Sequence, residues 1–187
     1  LAILQAWADA RAAHPTPFRI LAWNWEWSYY YPDPQAEIVT RLPAGIELLL
    51  GFEMGGEKEW QGRTIPIGEY SLSYAGPGRQ FVLTREAARA RGIPVHAKIE
   101  INNTHELCSV PNLPVLATLH TRFAAMSAQE ISGFMGCWSM GARPTLNTAA
   151  LRLYMRDPAR FADEEAFLDA LAREYFGLKE TGQVIQS

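Results

Sequence analysis

Residues 93–101 read Ile-Pro-Val-His-Ala-Lys-Ile-Glu-Ile, and their alternation decides between two possible folds. Successive side chains of a β-strand point to opposite faces, so His96, Lys98 and Glu100 share one face while apolar residues occupy the other. A parallel strand that helices cover on both faces is apolar throughout. The polar face therefore favours a strand of a β/α barrel, whose carboxyl end is the wet and charged active-site end.

The segments on either side alternate between helix and strand. Strands are predicted at 19–27, 45–53, 93–101 and 131–138, with a short rim strand at 69–74 inside an irregular stretch over 54–80. Helices are predicted at 1–14, over a short stretch from the Pro32-Asp33-Pro34 turn through about 41, and at 80–91, 113–126, 145–155 and 163–176. Such alternation implies parallel strands, either in an open doubly wound sheet or in part of an eight-stranded barrel. Residues 51–56 lack the GxGxxG spacing of a dinucleotide-binding turn.

Composition narrows the class of protein. The 187 residues are 48% apolar and 20% charged, which is typical of one globular domain with a substantial core. A net charge of −3 without a basic run disfavours nucleic acid and anionic membranes as partners. No apolar run approaches the roughly 18 residues of a membrane span. Cys108, Cys137 and the four scattered histidines show no metal-ligand spacing, so no metal or organic cofactor is implied.

Residues 20–31, Ile-Leu-Ala-Trp-Asn-Trp-Glu-Trp-Ser-Tyr-Tyr-Tyr, combine aromatic rings with amide and carboxylate groups. The C–H face of a sugar stacks on aromatic rings, and its hydroxyl groups bind carboxylates, amides and Tyr hydroxyls. An aromatic core strand is the alternative interpretation. The predicted carbohydrate-binding residues of this segment are Trp23, Asn24, Trp25, Glu26, Trp27 and Tyr29.

Acidic residues follow several of the predicted strands. Hydrolysis of a glycosidic bond needs two carboxyl groups, one to protonate the leaving oxygen and one to act as nucleophile or to activate water. Glu100 shares a face with Lys98, which favours an ionised carboxylate suited to a nucleophile, although a buried structural ion pair is the alternative. Glu106 lies beside His105, which could tune its proton affinity, or the two residues form an exposed turn.

Other polar and aromatic residues near the strand ends suit substrate binding. Glu53 and Glu69 flank the long irregular stretch, where binding of sugar hydroxyls is more natural than proton transfer. Trp138 can form a floor for a sugar ring beside glycines that allow a close approach. The remaining predicted substrate-binding residues are Tyr70, Lys98, Asn102 and His105.

Three motifs resemble the later strands of bacterial glycoside-hydrolase barrels, near the hexosaminidase and α-glucuronidase groups. They are Leu21-Ala-Trp-Asn-Trp25, Lys98-Ile-Glu-Ile-Asn102 followed by Thr104-His-Glu106 and Pro111-x-x-Pro114, and Phe134-Met-Gly-Cys-Trp138-Ser-x-Gly141. The resemblance implies a partial TIM (β/α)8 barrel: residues 1–158 would supply approximately strands five to eight. Residues 159–187, with Phe167-Leu-x-x-Leu-Ala-x-x-Tyr-Phe-Gly177, would begin a following helical segment.

The same resemblance implies roles for individual residues. Glu100 occupies the position of the nucleophile at the end of strand seven, with Glu106 as the next candidate. The acid at the end of strand four would lie upstream of Leu1, where a helix is already under way without a cap, so the missing N-terminal half of the barrel would be a partner. The expected activity is hydrolysis of an oligosaccharide or other glycoside. The alternatives are a non-catalytic carbohydrate-binding protein and a lyase or isomerase that uses Lys98 and Glu100.

Overall fold

The computed structural model describes residues 1–25, 27, 35–102, 112–136 and 143–178, and its chain divides into two compact units. The sheet unit comprises Leu1–Glu69, Pro77–Ile99 and Ile131–Met135. The helical unit comprises Tyr70–Gly76, Glu100–Glu130 and Gly136–Ser187.

The sheet unit is built on parallel strands. Its elements in chain order are α1 (Ala2–Ala13), β1 (Ile20–Trp23), α2 (Gln35–Thr40), β2 (Ile46–Gly51), β3 (Gly56–Trp60), β4 (Arg63–Ile67), α3 (Arg79–Ala90), β5 (Val95–Ile99) and β6 (Gly133–Gly136, whose last residue is counted with the helical unit). The four-stranded parallel sheet has the order β1-β2-β5-β6, which follows the chain, whereas a doubly wound sheet reverses its order at a switch point. A mixed α/β fold with parallel strands is therefore confirmed, and the four described strands show no reversal of order.

The strand register assigns each residue to one of two faces of the sheet. Trp23 pairs with Leu49, Leu49 with His96, and Gly51 with Lys98, so their positions share one face together with Glu47. We call this the polar face. The next residue after β2, Phe52, lies on the opposite side and packs its ring 4.8 Å from that of Phe81 in α3. Helix α3 thus covers the apolar face of the sheet and leaves the polar face to other contacts.

Two predicted strands differ from the observed ones. The strand predicted over 19–27 ends at Trp23, because the backbone turns when the Trp27 N–H donates to the Asn24 carbonyl at 3.1 Å. Trp27 therefore does not share a strand face with Trp23 and Trp25, as it would in an unbroken strand over 19–27. The rim strand predicted over 69–74 is wrong, since that segment has no strand.

The long stretch predicted to be irregular contains instead the antiparallel hairpin β3–β4. Its strands pair from Gly56 opposite Ile67 to Trp60 opposite Arg63. The two-residue turn between them, Gln61-Gly62, has φ values of 49° and 72°, as the type I′ turn of a tight hairpin requires.

The helical unit holds α4 (Leu116–Ser127), α5 (Leu146–Arg156) and α6 (Glu164–Phe176), which pack against one another. His120 lies among aromatic rings, 5.7 Å from Tyr154 and 5.1 Å from Phe167 between ring centroids. Thr145 forms a capping box with Thr148 at the start of α5, which satisfies backbone donors at that helix end. In the part of the chain that the structure describes, no helix has the length and apolar character needed to cross a bilayer.

Candidate functional site

Polar side chains gather at the carboxyl ends of the parallel strands in the sheet unit. Asn24 follows β1, Glu53 follows β2 by two residues, and Lys98 is the fourth residue of β5. All three side chains are completely buried, although the sequence predicted a wet strand end. Burying polar and charged groups costs free energy unless they have partners, so this edge of the sheet is a site of specific polar interactions.

Asn24 joins three segments of the sheet unit. Its Oδ1 accepts a hydrogen bond from the Gly51 N–H at 3.0 Å, and its Nδ2 donates to Gln35 Oε1 at 2.8 Å and to Met54 Sδ at 3.4 Å. Gln35 also donates to the same sulfur at 3.3 Å. The amide predicted to bind sugar therefore holds the ends of β1 and β2 to α2. Sequence patterns did not indicate Gln35 or Met54, because neither belongs to a motif.

Two of the predicted tryptophans, on either side of Asn24 in the sequence, form a stacked pair. The ring centroids of Trp23 and Trp25 are 5.6 Å apart with an interplanar angle of 22°. Trp25 is 38% exposed, which leaves part of an aromatic surface open to a ligand. Among the described residues, no hydrogen-bond acceptor lies near the buried Trp23 Nε1. Trp27 lies apart from the pair, in a cleft of about 250 Å³ with Leu4 and Ile38.

The carboxylate of Glu69 lies over Gly51 at the end of β2. A Cβ atom added to Gly51 would be 2.2 Å from Glu69 Oε1, so this carboxylate occupies the space of the missing side chain. Gly51 pairs with Lys98, and neighbouring strands are about 4.8 Å apart. The register thus places the Glu69 carboxylate over the strand position next to that of Lys98 on the polar face. The sequence predicted both residues but not these neighbouring positions.

The backbone that carries Glu53 is held by the first turn of α3. The N–H groups of Gly78, Arg79 and Gln80 donate to the carbonyls of Phe52, Gly55 and Met54 at 2.8, 3.2 and 3.2 Å. The first N–H groups of a helix have no partner within the helix. These bonds therefore give partners to the N–H groups at the start of α3 and to the carbonyl groups of the turn after β2. The turn after β2 is therefore a fixed part of the site.

A second polar cluster lies at the amino ends of the strands. Arg19 Nε and Nη2 donate to the two carboxylate oxygens of Glu47 at 2.8 and 2.5 Å, and His96 Nε2 lies 2.7 Å from Glu47 Oε2. The hydrogen bond from Arg19 is the main cause that lowers the pKa of Glu47 below its usual value, and His96 contributes in the same direction. Polar groups at the amino end of barrel strands stabilise the fold, whereas catalysis takes place at the other end.

This cluster gives a prediction for acid stability. The folded-state pKa of Glu47 is lowered, so its ion pair contributes stability above the pKa of the unfolded chain and loses it as pH falls through the folded value. We expect Glu47→Gln to lower the free energy of unfolding at pH 7 by about 1 kcal/mol or less, since Arg19 is exposed. The difference in the free energy of unfolding between the wild type and Glu47→Gln is measured by urea denaturation at pH 7 and pH 3. The difference should be smaller at pH 3 than at pH 7; an undiminished difference would contradict the ion-pair assignment, and Glu57→Gln on exposed β3 is the control.

In the helical unit, Glu100 and Asn102 are both completely buried. Asn102 Oδ1 accepts a hydrogen bond from Thr145 Oγ1 at 2.7 Å, and Asn147 Nδ2 donates to the Ile101 carbonyl at 2.8 Å. The start of α5 therefore holds the segment that follows β5. Tyr70 is also buried and has a φ of +63°, an unusual backbone conformation for a bulky residue.

Arg122 is a buried residue of this unit that sequence reasoning missed. Its guanidinium donates to the carbonyls of Ser71 at 2.6 Å and Ala75 at 3.3 Å, and also to those of Tyr74 and Glu100. A signal was present, because Arg122 interrupts the buried stripe of α4 between Leu119 and Met126. A charge on such a stripe indicates a buried polar role.

A cleft of about 620 Å³ in the helical unit lies along α5 and α6. It contains none of the residues that the sequence analysis selected. Its lining has three arginines and three acids, and Glu174 accepts hydrogen bonds from Arg156 at 2.9 Å and from Arg152, outside the lining, at 3.0 Å. This balance leaves the cleft without a clear preference for a charged ligand.

Several predicted residues lie outside the described part of the chain. They are Glu26, Tyr29, His105, Glu106 and Trp138, together with Cys108 and Cys137. Within the described ranges, no group of three histidine, cysteine, aspartate or glutamate side chains could hold a metal ion.

Comparison with known proteins gives no assignment. No protein-family model, no curated protein and no solved structure matches this chain. The resemblance to glycoside-hydrolase barrels therefore stays a prediction that rests on the residues themselves.

Proposed function

We propose that this chain is the carboxyl-terminal half of a glycoside-hydrolase (β/α)8 barrel that acts on an oligosaccharide or another glycoside. The observation that carries the proposal is a completely buried acid after each of two neighbouring parallel strands, Glu53 after β2 in the sheet unit and Glu100 directly after β5. Barrel enzymes keep their catalytic groups at this end of the strands. The stacked pair of Trp23 and Trp25 supports a sugar as the ligand.

In this proposal Glu100 is the nucleophile, and a second acid protonates the leaving oxygen. Retaining glycosidases form a covalent bond between the nucleophile carboxylate and the sugar, which water then cleaves with help from the second acid. Glu106 is the alternative candidate within this chain. Asn102 and Tyr70, which belong to the same unit as Glu100, would bind substrate hydroxyl groups, together with the predicted residues outside the described ranges. Glu53 and Glu69 stay predicted hydroxyl-binding residues of the sheet unit.

The open edges of the sheet support completion by further β/α units. Among the described strands, β1 and β6 lie at the edges of the four-stranded sheet, and each exposes an apolar side chain: Leu21 and Phe134 are both 41% exposed. Unpaired edges with apolar residues favour pairing with another strand. We propose that the N-terminal half of the same barrel covers these edges and supplies the second acid.

The test is a screen against a panel of aryl glycosides. It compares a parent polypeptide, obtained by extending the gene upstream of Leu1, with the present chain alone. We expect the parent to hydrolyse at least one glycoside and the present chain none. If neither protein cleaves any glycoside but calorimetry still detects sugar binding, the carbohydrate-binding alternative replaces the hydrolase.

The neighbouring positions of Glu69 and Lys98 favour a second candidate, a lyase or isomerase. An ammonium group and a carboxylate side by side can serve as an acid and base pair for proton transfer at a carbon atom. The sequence analysis paired Lys98 with Glu100 for this role, and Glu69 is a further partner. Loss of proton exchange at a substrate carbon in Lys98→Met would favour this candidate over hydrolysis.

A further inference from the structure

One buried guanidinium connects two backbone segments of the helical unit. Arg122 is completely buried and donates to the carbonyls of Ser71, Tyr74 and Ala75, all within the segment 70–76. Its Nη1 donates to the Glu100 carbonyl. A single side chain thus fixes the segment 70–76 and the backbone of Glu100 relative to each other.

The segment that Arg122 holds is conformationally costly. Tyr70 has a φ of +63° and an almost completely buried side chain. A residue other than glycine is strained in this region, and it persists there only where surrounding contacts require it. The bond from Arg122 to the adjacent Ser71 carbonyl is such a contact, at 2.6 Å.

We propose that Arg122 is a positioning residue for the Glu100 carboxylate and for Tyr70. This inference rests on the proposed function, because it gives Arg122 a role in catalysis through Glu100. Arg122 itself does not touch substrate in this scheme. It sets the backbone from which the carboxylate projects, and a displacement of about 1 Å at a reacting group can lower the rate about 10²-fold.

Arginine suits this role better than lysine. The guanidinium presents five N–H donors in a rigid planar fork, so it can serve several carbonyls in different directions. A lysine ammonium has three donors at one point on a flexible chain, and it cannot reproduce four separated contacts. Arg122→Lys therefore keeps the positive charge and loses the planar arrangement of the donors.

The experiment compares Arg122→Lys with Met126→Ala in the parent polypeptide. Met126 is buried on the same helix, so its truncation destabilises α4 without removing the contacts of Arg122. Hydrogen exchange is measured for peptides that cover 70–76 and 164–176, below the unfolding temperature of both variants. For a glycoside that the wild type hydrolyses, kcat and KM are measured over a range of pH.

We expect Arg122→Lys to accelerate exchange in 70–76 at least tenfold and to leave exchange in α6 unchanged. Its kcat should fall at least tenfold with KM within about threefold of the wild type, since ground-state binding needs less exact alignment than the reaction. The pH dependence of kcat should also shift, because Glu100 is displaced. Met126→Ala should leave kcat and its pH dependence near those of the wild type, and any faster exchange in this variant should affect 70–76 and α6 alike.

Other results would overturn the proposal. If Arg122→Lys accelerates exchange in 70–76 and in α6 equally, Arg122 has only a general structural role. If exchange in 70–76 is faster but kcat is unchanged, Arg122 fixes this segment without contributing to catalysis. If the wild type cleaves no glycoside, the proposed function fails by itself, and unchanged exchange in 70–76 would then also disprove the positioning role.

Discussion

Replacing Glu100 with glutamine is expected to lower the turnover of the glycoside-hydrolysing parent at least ~10²-fold while sugar binding remains. Glutamine has nearly the same shape as glutamate, so the buried site keeps its packing and loses only the carboxylate. The measurement is kcat on the best glycoside of the screen, with sugar affinity from calorimetry.

The control for this experiment is Glu86→Gln, on the exposed side of α3, which should leave turnover unchanged. Unaltered turnover in Glu100→Gln would remove Glu100 from the mechanism and make Glu106 the candidate nucleophile. A loss of affinity in a protein that never hydrolyses a glycoside would instead favour carbohydrate binding without catalysis.

Gly78→Ala is expected to destabilise the protein by about 3 kcal/mol, because the added methyl group meets backbone atoms. A Cβ at Gly78 would lie 2.2 Å from the Met54 carbonyl oxygen and 2.5 Å from that of Glu53. Backbone cannot move aside like the end of a flexible side chain. The φ of −76° is open to any residue, so the cost arises from space and not from backbone conformation. Urea denaturation measures the loss in the free energy of unfolding relative to the wild type.

Gly68→Ala provides a matched control for Gly78→Ala. A Cβ at Gly68 would meet no atom within 4 Å, and this glycine is exposed. Its free energy of unfolding should stay the same or rise by less than about 1 kcal/mol, since alanine restricts the unfolded chain. Equal stability of the two variants would show that α3 does not hold the turn at Glu53 as tightly as the contacts indicate.

The main elements of the fold could be predicted because their patterns are strong. The alternation around Lys98 indicated β5, and the buried run before Gly51 indicated β2. The hairpin was missed, because β3 and β4 are largely exposed and carry few apolar residues to mark a period of two. Its one local signal was the Gln61-Gly62 turn, which is weaker than the Asn-Gly pair typical of hairpins.

The site was less predictable than the fold, since it depends on contacts between segments distant in sequence. Asn24 was selected for its chemistry, but its partners Gln35 and Met54 follow from how the strand ends and helices meet. Arg122 reaches carbonyls 22 to 51 residues away, and a sequence carries no direct sign of such backbone contacts.

The carboxylate over Gly51 has a consequence for how this protein could change over evolution. Glu69 reaches the end of β2 from outside the strand, and the hairpin β3–β4 forms most of the intervening chain. Paired residues such as Trp60 and Arg63 could be lost or gained together without moving the base of the hairpin, whereas a single insertion would break its register. The length of the hairpin can therefore change in steps of two residues during evolution. Its tip can vary in this way while the Glu69 carboxylate stays over Gly51.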